Sequence, residues 1–211
     1  MKDNREYQIK LMSALAKVFP GQEPEEDPCC TGFTMLRGET FSFVAAYTCG
    51  GGNGGRGNFD AVVRVESPAA EYCRIREIIP VPSLRPVNSC ADSNYLRTQP
   101  GMYPDLLTEP AGGRITFTPG QFKSLWIDVE IPENGPHGEI PVAVVFASPE
   151  GEELCRRETS IQVYRTVLGP QRLLRTEWFH GDCLADYYQV PVFSEEHWRI
   201  MENFISPGAV I

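Results

Sequence analysis

The stretch from Arg114 to Tyr164 reads RITFTPGQFKSLWIDVEIPENGPHGEIPVAVVFASPEGEELCRRETSIQVY, and its texture decides the fold class. Four runs in it are rich in β-branched and aromatic residues: Arg114–Thr118, Lys123–Glu130, Ile140–Ala147 and Glu158–Tyr164. Each is too short for a stable helix and is bounded by Pro, Gly or charged residues, which is the pattern of strands. Pro149-Glu150-Gly151 reads as a tight hairpin turn and Pro132–Gly138 as a longer turn. Upstream, Phe59–Glu66 (FDAVVRVE) alternates in the same way, and Thr40–Cys49 (TFSFVAAYTC) puts Phe41, Phe43, Ala45 and Tyr47 on one face at period 2. Glu71–Ile79 (EYCRIREII) continues the strand pattern without a cleanly apolar face. Short strands with turn signals about every ten residues predict an antiparallel β-sandwich in a mainly β chain.

Two segments between these runs read as loops. Residues 20–32 are Pro- and acid-rich. Residues 80–113 carry Pro80, Pro82, Pro86, Pro100, Pro104 and Pro110, and so long a loop in a compact domain is expected to dock against something. Tyr95 and Tyr103 are its candidate docking residues. Trp126, with Ile127 and Val129, is expected in the core or at a domain interface. Past Gly169-Pro170 the pattern changes. Leu173–His180 (LLRTEWFH) reads as one more strand, Asp182–Tyr188 as a helical turn and Ser194–Ile205 (SEEHWRIMENFI) as the best helix of the chain. Ser194 is a natural N-cap, Glu195 and Glu196 suit the positive end of the helix dipole, and Trp198, Met201, Ile205 and Phe204 supply an apolar stripe. The expected division is therefore a β-sandwich over 1–168 and a strand–helix extension over 169–211.

Composition bounds the function. With 42% hydrophobic residues, 19 Gly and 18 Pro among 211, the chain has material for a core but few long helices. A formal net charge of −9 argues against a nucleic-acid partner. No stretch approaches the ~20 apolar residues of a membrane span, and the N-terminus MKDNREYQIKLMSALAKVFPG lacks the apolar core of a signal peptide. The seven Cys are odd in number and match no disulfide framework or zinc spacing, so reduced thiols in the cytoplasm are expected.

Three stretches together resemble an uncharacterised family related to glycoside hydrolase family 123. They are Ser13–Pro20 (SALAKVFP) with Arg37–Tyr47 (RGETFSFVAAY), Leu125–Pro132 (LWIDVEIP) with the following Pro136-His137-Gly138 turn, and Thr176–Tyr188 (TEWFHGDCLADYY) with Val192–Ile205 (VFSEEHWRIMENFI). The resemblance implies an N-terminal β-sandwich ahead of a (β/α)8 barrel, the third stretch being the barrel's first strand and helix. It also implies substrate-assisted cleavage of N-acetylgalactosaminides by an adjacent Asp-Glu pair deeper in the barrel. No segment here corresponds to that pair, and about 250 residues make such a barrel. No catalytic residue, metal or cofactor is therefore assigned, and this chain alone is expected not to turn over substrate. The expected role is an accessory domain of a glycoside hydrolase-like protein, docking on a catalytic barrel outside the chain or self-associating through its C-terminal segment. The alternative is a stand-alone carbohydrate-binding sandwich. Ser206–Ile211 (SPGAVI) depart from the helix continuation that the resemblance leads one to expect.

In the parent context the substrate-contacting candidates are Trp178, His180, Asp182 and Tyr187, because the residues just after a barrel strand face the substrate. The imidazole and carboxylate would bind sugar hydroxyls and the aromatic rings would offer a face. The bland alternative is a structural role. Gly50–Gly55 (GGGNGG) satisfies G-x-G-x-x-G, but a strand follows where a dinucleotide site needs a helix, so it reads as a hairpin. Glu195, Glu196 and His197 read as helix capping and solvated surface.

Overall fold

A computed structural model of the chain describes residues 5–25, 32–50, 57–85, 95–170, 172 and 179–208. The chain divides into two compact units, Met1–Gly169 and Pro170–Ile211. The first contains strands β1 (Tyr7–Ser13), β2 (Phe33–Arg37), β3 (Glu39–Cys49), β4 (Phe59–Glu66), β5 (Cys73–Ser83), β6 (Gly101–Thr108), β7 (Arg114–Phe117), β8 (Lys123–Ile131), β9 (Gly138–Ala147) and β10 (Glu153–Val167). They form two five-stranded sheets, β1-β3-β8-β5-β6 and β2-β10-β9-β4-β7. The second unit contains α1 (Asp182–Tyr188) and α2 (Glu195–Gly208). No helix among the described residues is long and apolar enough to cross a membrane.

The period-2 pattern explains the packing of the first unit. Phe43, Ala45 and Tyr47 of β3 and Leu125, Ile127, Val129 and Ile131 of β8 meet Val142, Val144 and Phe146 of β9 in one buried cluster drawn from both sheets. Tyr47 meets Phe117 edge-on at 5.0 Å and Phe146 at 5.0 Å, so large rings fill the space between the layers. Two inward faces sharing one core is the arrangement that hides a sheet's apolar side. The opposite face of β3 is also buried. Val44 and Ala46 join Met12, Val18 and Phe122 in a second, smaller cluster against which Trp126 packs.

Several expectations change. The sheets are not wholly antiparallel, because β2 runs parallel to β10. β1 and β2 carry too few consecutive apolar residues to stand out from the opening segment, and β2 passes straight into β3 of the other sheet at Gly38, whose φ of +75 suits glycine. Its N–H donates to Ile131 O at 2.7 Å, tying this corner to β8. The Gly-rich run is not a hairpin, since β3 and β4 lie in different sheets, and residues 51–56 lie outside the described residues. Pro149–Gly151 does make the hairpin turn, with Ser148 N–H on Glu152 O at 2.7 Å and Gly151 at φ +94.

The largest correction falls on residues 80–113. The strand β5 continues to Ser83 and pairs with β6, which holds Tyr103 and Pro104. Proline disfavours a central strand because it cannot donate to the ladder, but β6 is an edge strand and β5 pairs with β8 only through Cys73–Ile78. Pro80 stands opposite Pro104 just after a register shift. Neither has an N–H, so a non-hydrogen-bonded position loses nothing there.

Candidate functional site

The second unit holds the residues that the sequence singles out, and its local structure can be built from the chain order. Phe179 and His180 are irregular and exposed, not the end of a strand, and Leu173–Trp178, including the candidate Trp178, lie outside the described residues. Gly181 opens α1. The helix ends at Gln189 in the left-handed region (φ 57), with Val190 N–H returning to Ala185 O at 3.0 Å. A turn follows, with Ser194 N–H on Pro191 O at 3.1 Å. Ser194 then caps α2: its Oγ accepts from His197 N–H at 3.2 Å and its carbonyl from Trp198 N–H at 2.9 Å.

His197 corrects the reading of Glu195, Glu196 and His197 as solvated surface. Its side chain is fully buried. Nδ1 accepts the Phe193 N–H at 2.9 Å, so the ring proton sits on Nε2, which donates to Gly181 O at 2.7 Å. One imidazole thus joins the entry of α1 to the entry of α2. The first of these bonds also holds Phe193 at φ 60, a backbone conformation costly for an aromatic residue. Met201, one turn after His197, is 4% exposed and lies against Gly181, where a Cβ would overlap its thioether. The buried face of α2 is therefore His197–Met201. Trp198, Phe204 and Ile205 of the expected stripe remain about half exposed, at 56%, 49% and 49%. A signal for this was present in the sequence, since His197 and Met201 stand at i and i+4.

Around this clamp the candidates His180, Asp182 and Tyr187 are all exposed. Asp182 and Tyr187 stand five residues apart on α1, about 140° round the helix, so the structure does not bring them to one face. His180 O accepts the Cys183 thiol at 3.0 Å. Tyr187 and Tyr188 meet edge-on at 5.0 Å, and Phe193 stacks on Trp198 at 5.7 Å, which makes the surface of this unit strongly aromatic. Among the described residues no group of three His, Cys, Asp or Glu side chains is placed to hold a metal ion.

The comparisons with known proteins fall on these same elements. The family described as glycoside hydrolase 123, catalytic domain, matches residues 178–210, the stretch that carries His180, α1 and α2. A family 123 glycoside hydrolase from Clostridium perfringens, solved to explain glycolipid glycan hydrolysis, superposes with a TM-score of 0.61 at 13% identity. The match covers 93% of this chain. The chain is related to glycoside hydrolase family 123. It spans only 35% of that relative's length. The SrpA adhesin of Streptococcus sanguinis (TM-score 0.33, 11% identity, 77% of this chain and 60% of that one) and domains 4 and 5 of the S-layer protein SbsC (0.30, 12%, 74% and 46%) are also similar to this chain. No curated protein sequence matches it.

Proposed function

We propose that this chain is the non-catalytic, N-terminal accessory part of a glycoside hydrolase-like protein. In this reading residues 1–168 are a β-sandwich and residues 169–211 begin a catalytic (β/α)8 barrel whose remainder lies outside the chain. The observation that carries it is the position of the catalytic-domain match. It begins at residue 178, past the end of the two-sheet unit at Gly169, and ends at residue 210, whereas a barrel of this kind takes about 250 residues. The aromatic and aliphatic surface of the second unit supports the reading, because half-exposed Trp198, Phe204 and Ile205 are what an α-helix offers to neighbouring barrel elements. His180, Asp182 and Tyr187, with Trp178, would then line one wall of a sugar-binding cleft, and the parent would act on N-acetylgalactosaminides. A cytoplasmic setting goes with this reading, on the odd number of Cys in the sequence, seven.

Three measurements test this. Reading the gene beyond the codon for Ile211 should give strand–helix repeats and an adjacent Asp-Glu pair, and a frame without them removes the barrel from the proposal. Light scattering of the chain alone should show association that Trp198→Gln with Phe204→Gln abolishes; a strictly monomeric chain with a buried indole counts against an uncovered docking face. Aryl N-acetylgalactosaminide should not be hydrolysed by the chain alone, and turnover lost in His180→Ala would overturn the non-catalytic assignment.

A further inference from the structure

A cleft of about 550 Å³ opens in the first unit at the β6 edge of the first sheet, between the segment after β1, the end of β5 and Tyr95–Arg97. Its volume lies in the range of small-ligand sites. Its inner wall is built of fixed rings. Phe19, 8% exposed, meets Tyr103 edge-on at 5.7 Å, and the Tyr103 hydroxyl donates to Gln99 O at 2.6 Å. The Phe19 and Tyr103 rings are thus positioned before any ligand arrives, which lowers the ordering cost of binding. Tyr95, 46% exposed, also lines the cleft and offers a ring to it.

The charge of the cleft runs against that of the chain. The formal net charge is −9, and most cations of this sheet are spent on carboxylates: Lys10 on Glu23, Arg74 on Glu109, Arg76 on Asp128 and Lys123 on Glu77. Lys17 and Arg97, which line the cleft, are in no ion pair among the described residues. The Arg97 guanidinium instead lies over the Phe19 ring at 4.8 Å, which orients it beside the aromatic wall. Asp105 is the one carboxylate among the described residues of the lining. Among the described residues, the cations Lys17 and Arg97, the carboxylate Asp105 and flat apolar rings suit a ligand with an anionic group, hydroxyl donors and an apolar ring face.

We propose that this cleft binds an acidic sugar, a pyranose bearing a carboxylate. The C–H face of the sugar lies on Tyr95, its carboxylate pairs with Arg97 and Lys17, and a hydroxyl donates to Asp105. The choice of a sugar over another ringed anion rests on the glycoside hydrolase-like reading above. The site itself needs no barrel.

The test is a titration of the full chain, followed by ¹H–¹⁵N NMR, with N-acetylneuraminic acid, glucuronic acid, neutral N-acetylgalactosamine and acetate. Saturable shifts of the Tyr95, Arg97 and Tyr103 amides are expected with at least one of the acidic sugars. Binding of the neutral sugar and of acetate should be at least tenfold weaker. Arg97→Gln with Lys17→Gln should weaken the acidic sugar about tenfold, as should Tyr95→Ala, each with an otherwise unchanged spectrum. The exposed Tyr95 keeps the test sound if the charge variant disturbs the Phe19 wall. No saturable shift with either acid, equal response to acetate, or binding indifferent to all three substitutions would overturn the proposal. Such a failure leaves the accessory reading standing, because that reading is decided by the gene and by association. A frame without a barrel leaves a positive titration intact.

Discussion

Replacing His197 tests whether one buried side chain holds the second unit together. Its ring makes two hydrogen bonds, from Phe193 N–H at 2.9 Å and to Gly181 O at 2.7 Å. Each is worth about 1 kcal/mol net, and each loss strands a backbone partner in a closed space. His197→Ala should therefore raise the local opening equilibrium of this unit by about 2–3 kcal/mol, or roughly 30- to 150-fold at 1.4 kcal/mol per tenfold. Native-state hydrogen exchange reads this directly at Leu184 N–H, bound to Gly181 O, at Val190 N–H, bound to Ala185 O, and at Trp198 N–H, bound to Ser194 O. The two bonds can also be separated. In His197→Asn the amide oxygen falls close to the position of Nδ1 and keeps Phe193, but does not reach Gly181, so Leu184 should exchange faster while Trp198 stays protected. In His197→Gln the amide reaches the Nε2 position and the order should reverse. If His197→Ala changes all three amides by less than about threefold, the imidazole is not the clamp and the packing of Ala185 and Met201 holds the helices.

Three further expectations follow from the same geometry. Gly181→Ala should strain the unit by about 1–2 kcal/mol through overlap with the buried Met201 side chain, and Met201→Ala in the same chain should restore exchange protection near α1; a harmless Gly181→Ala would mean that Met201 moves aside freely. Asp128, 8% exposed, accepts from Ser42 Oγ at 2.7 Å, from Trp126 Nε1 at 2.6 Å and from Arg76. Asp128→Ala should lower the urea-unfolding free energy by about 3 kcal/mol, because it leaves the Arg76 charge half-buried and unpaired, whereas Asp128→Asn, which keeps an acceptor, should cost less. Burial pushes the Cys73 thiol up to about 11, and burial, then Glu153 and Cys49, push Cys155 up to about 12. At pH 8 iodoacetamide should label the exposed Cys183 before either, as resolved by peptide mapping. Thiols that stay protonated in the fold but ionise near pH 8.5 when unfolded make stability fall as the pH rises above about 9, and labelling of Cys73 as fast as Cys183 in the folded chain would contradict the burial.

What the sequence reveals and what it conceals divide along physical lines. β3, β4, β8 and β9 are legible because they bury at least one face in a shared core, and burial selects runs such as IPVAVVFA that no exposed segment would carry. β6 is hidden because an edge strand tolerates Pro104 and carries half-exposed Met102 and Leu106, at 46% and 52%, so neither its composition nor its alternation separates it from a loop. β2 is hidden for another reason. Its parallel partner β10 lies more than a hundred residues away, and no local turn announces the pairing. Boundaries in the second unit are legible at Ser194 and at Asp182–Tyr188, because capping and short-range helix chemistry are local. The role of His197 is not local. A His after two Glu reads as surface until Gly181 O is brought to its ring, and only tertiary structure does that. The same limit applies to function. The stretch from Asp182 to Ile205 is legible as two helices, but which of its side chains stay exposed is read only from the structure. The cleft beside β6, by contrast, is lined by residues of the first unit, and its Lys17 and Arg97, in no ion pair among the described residues, can be tested within this chain.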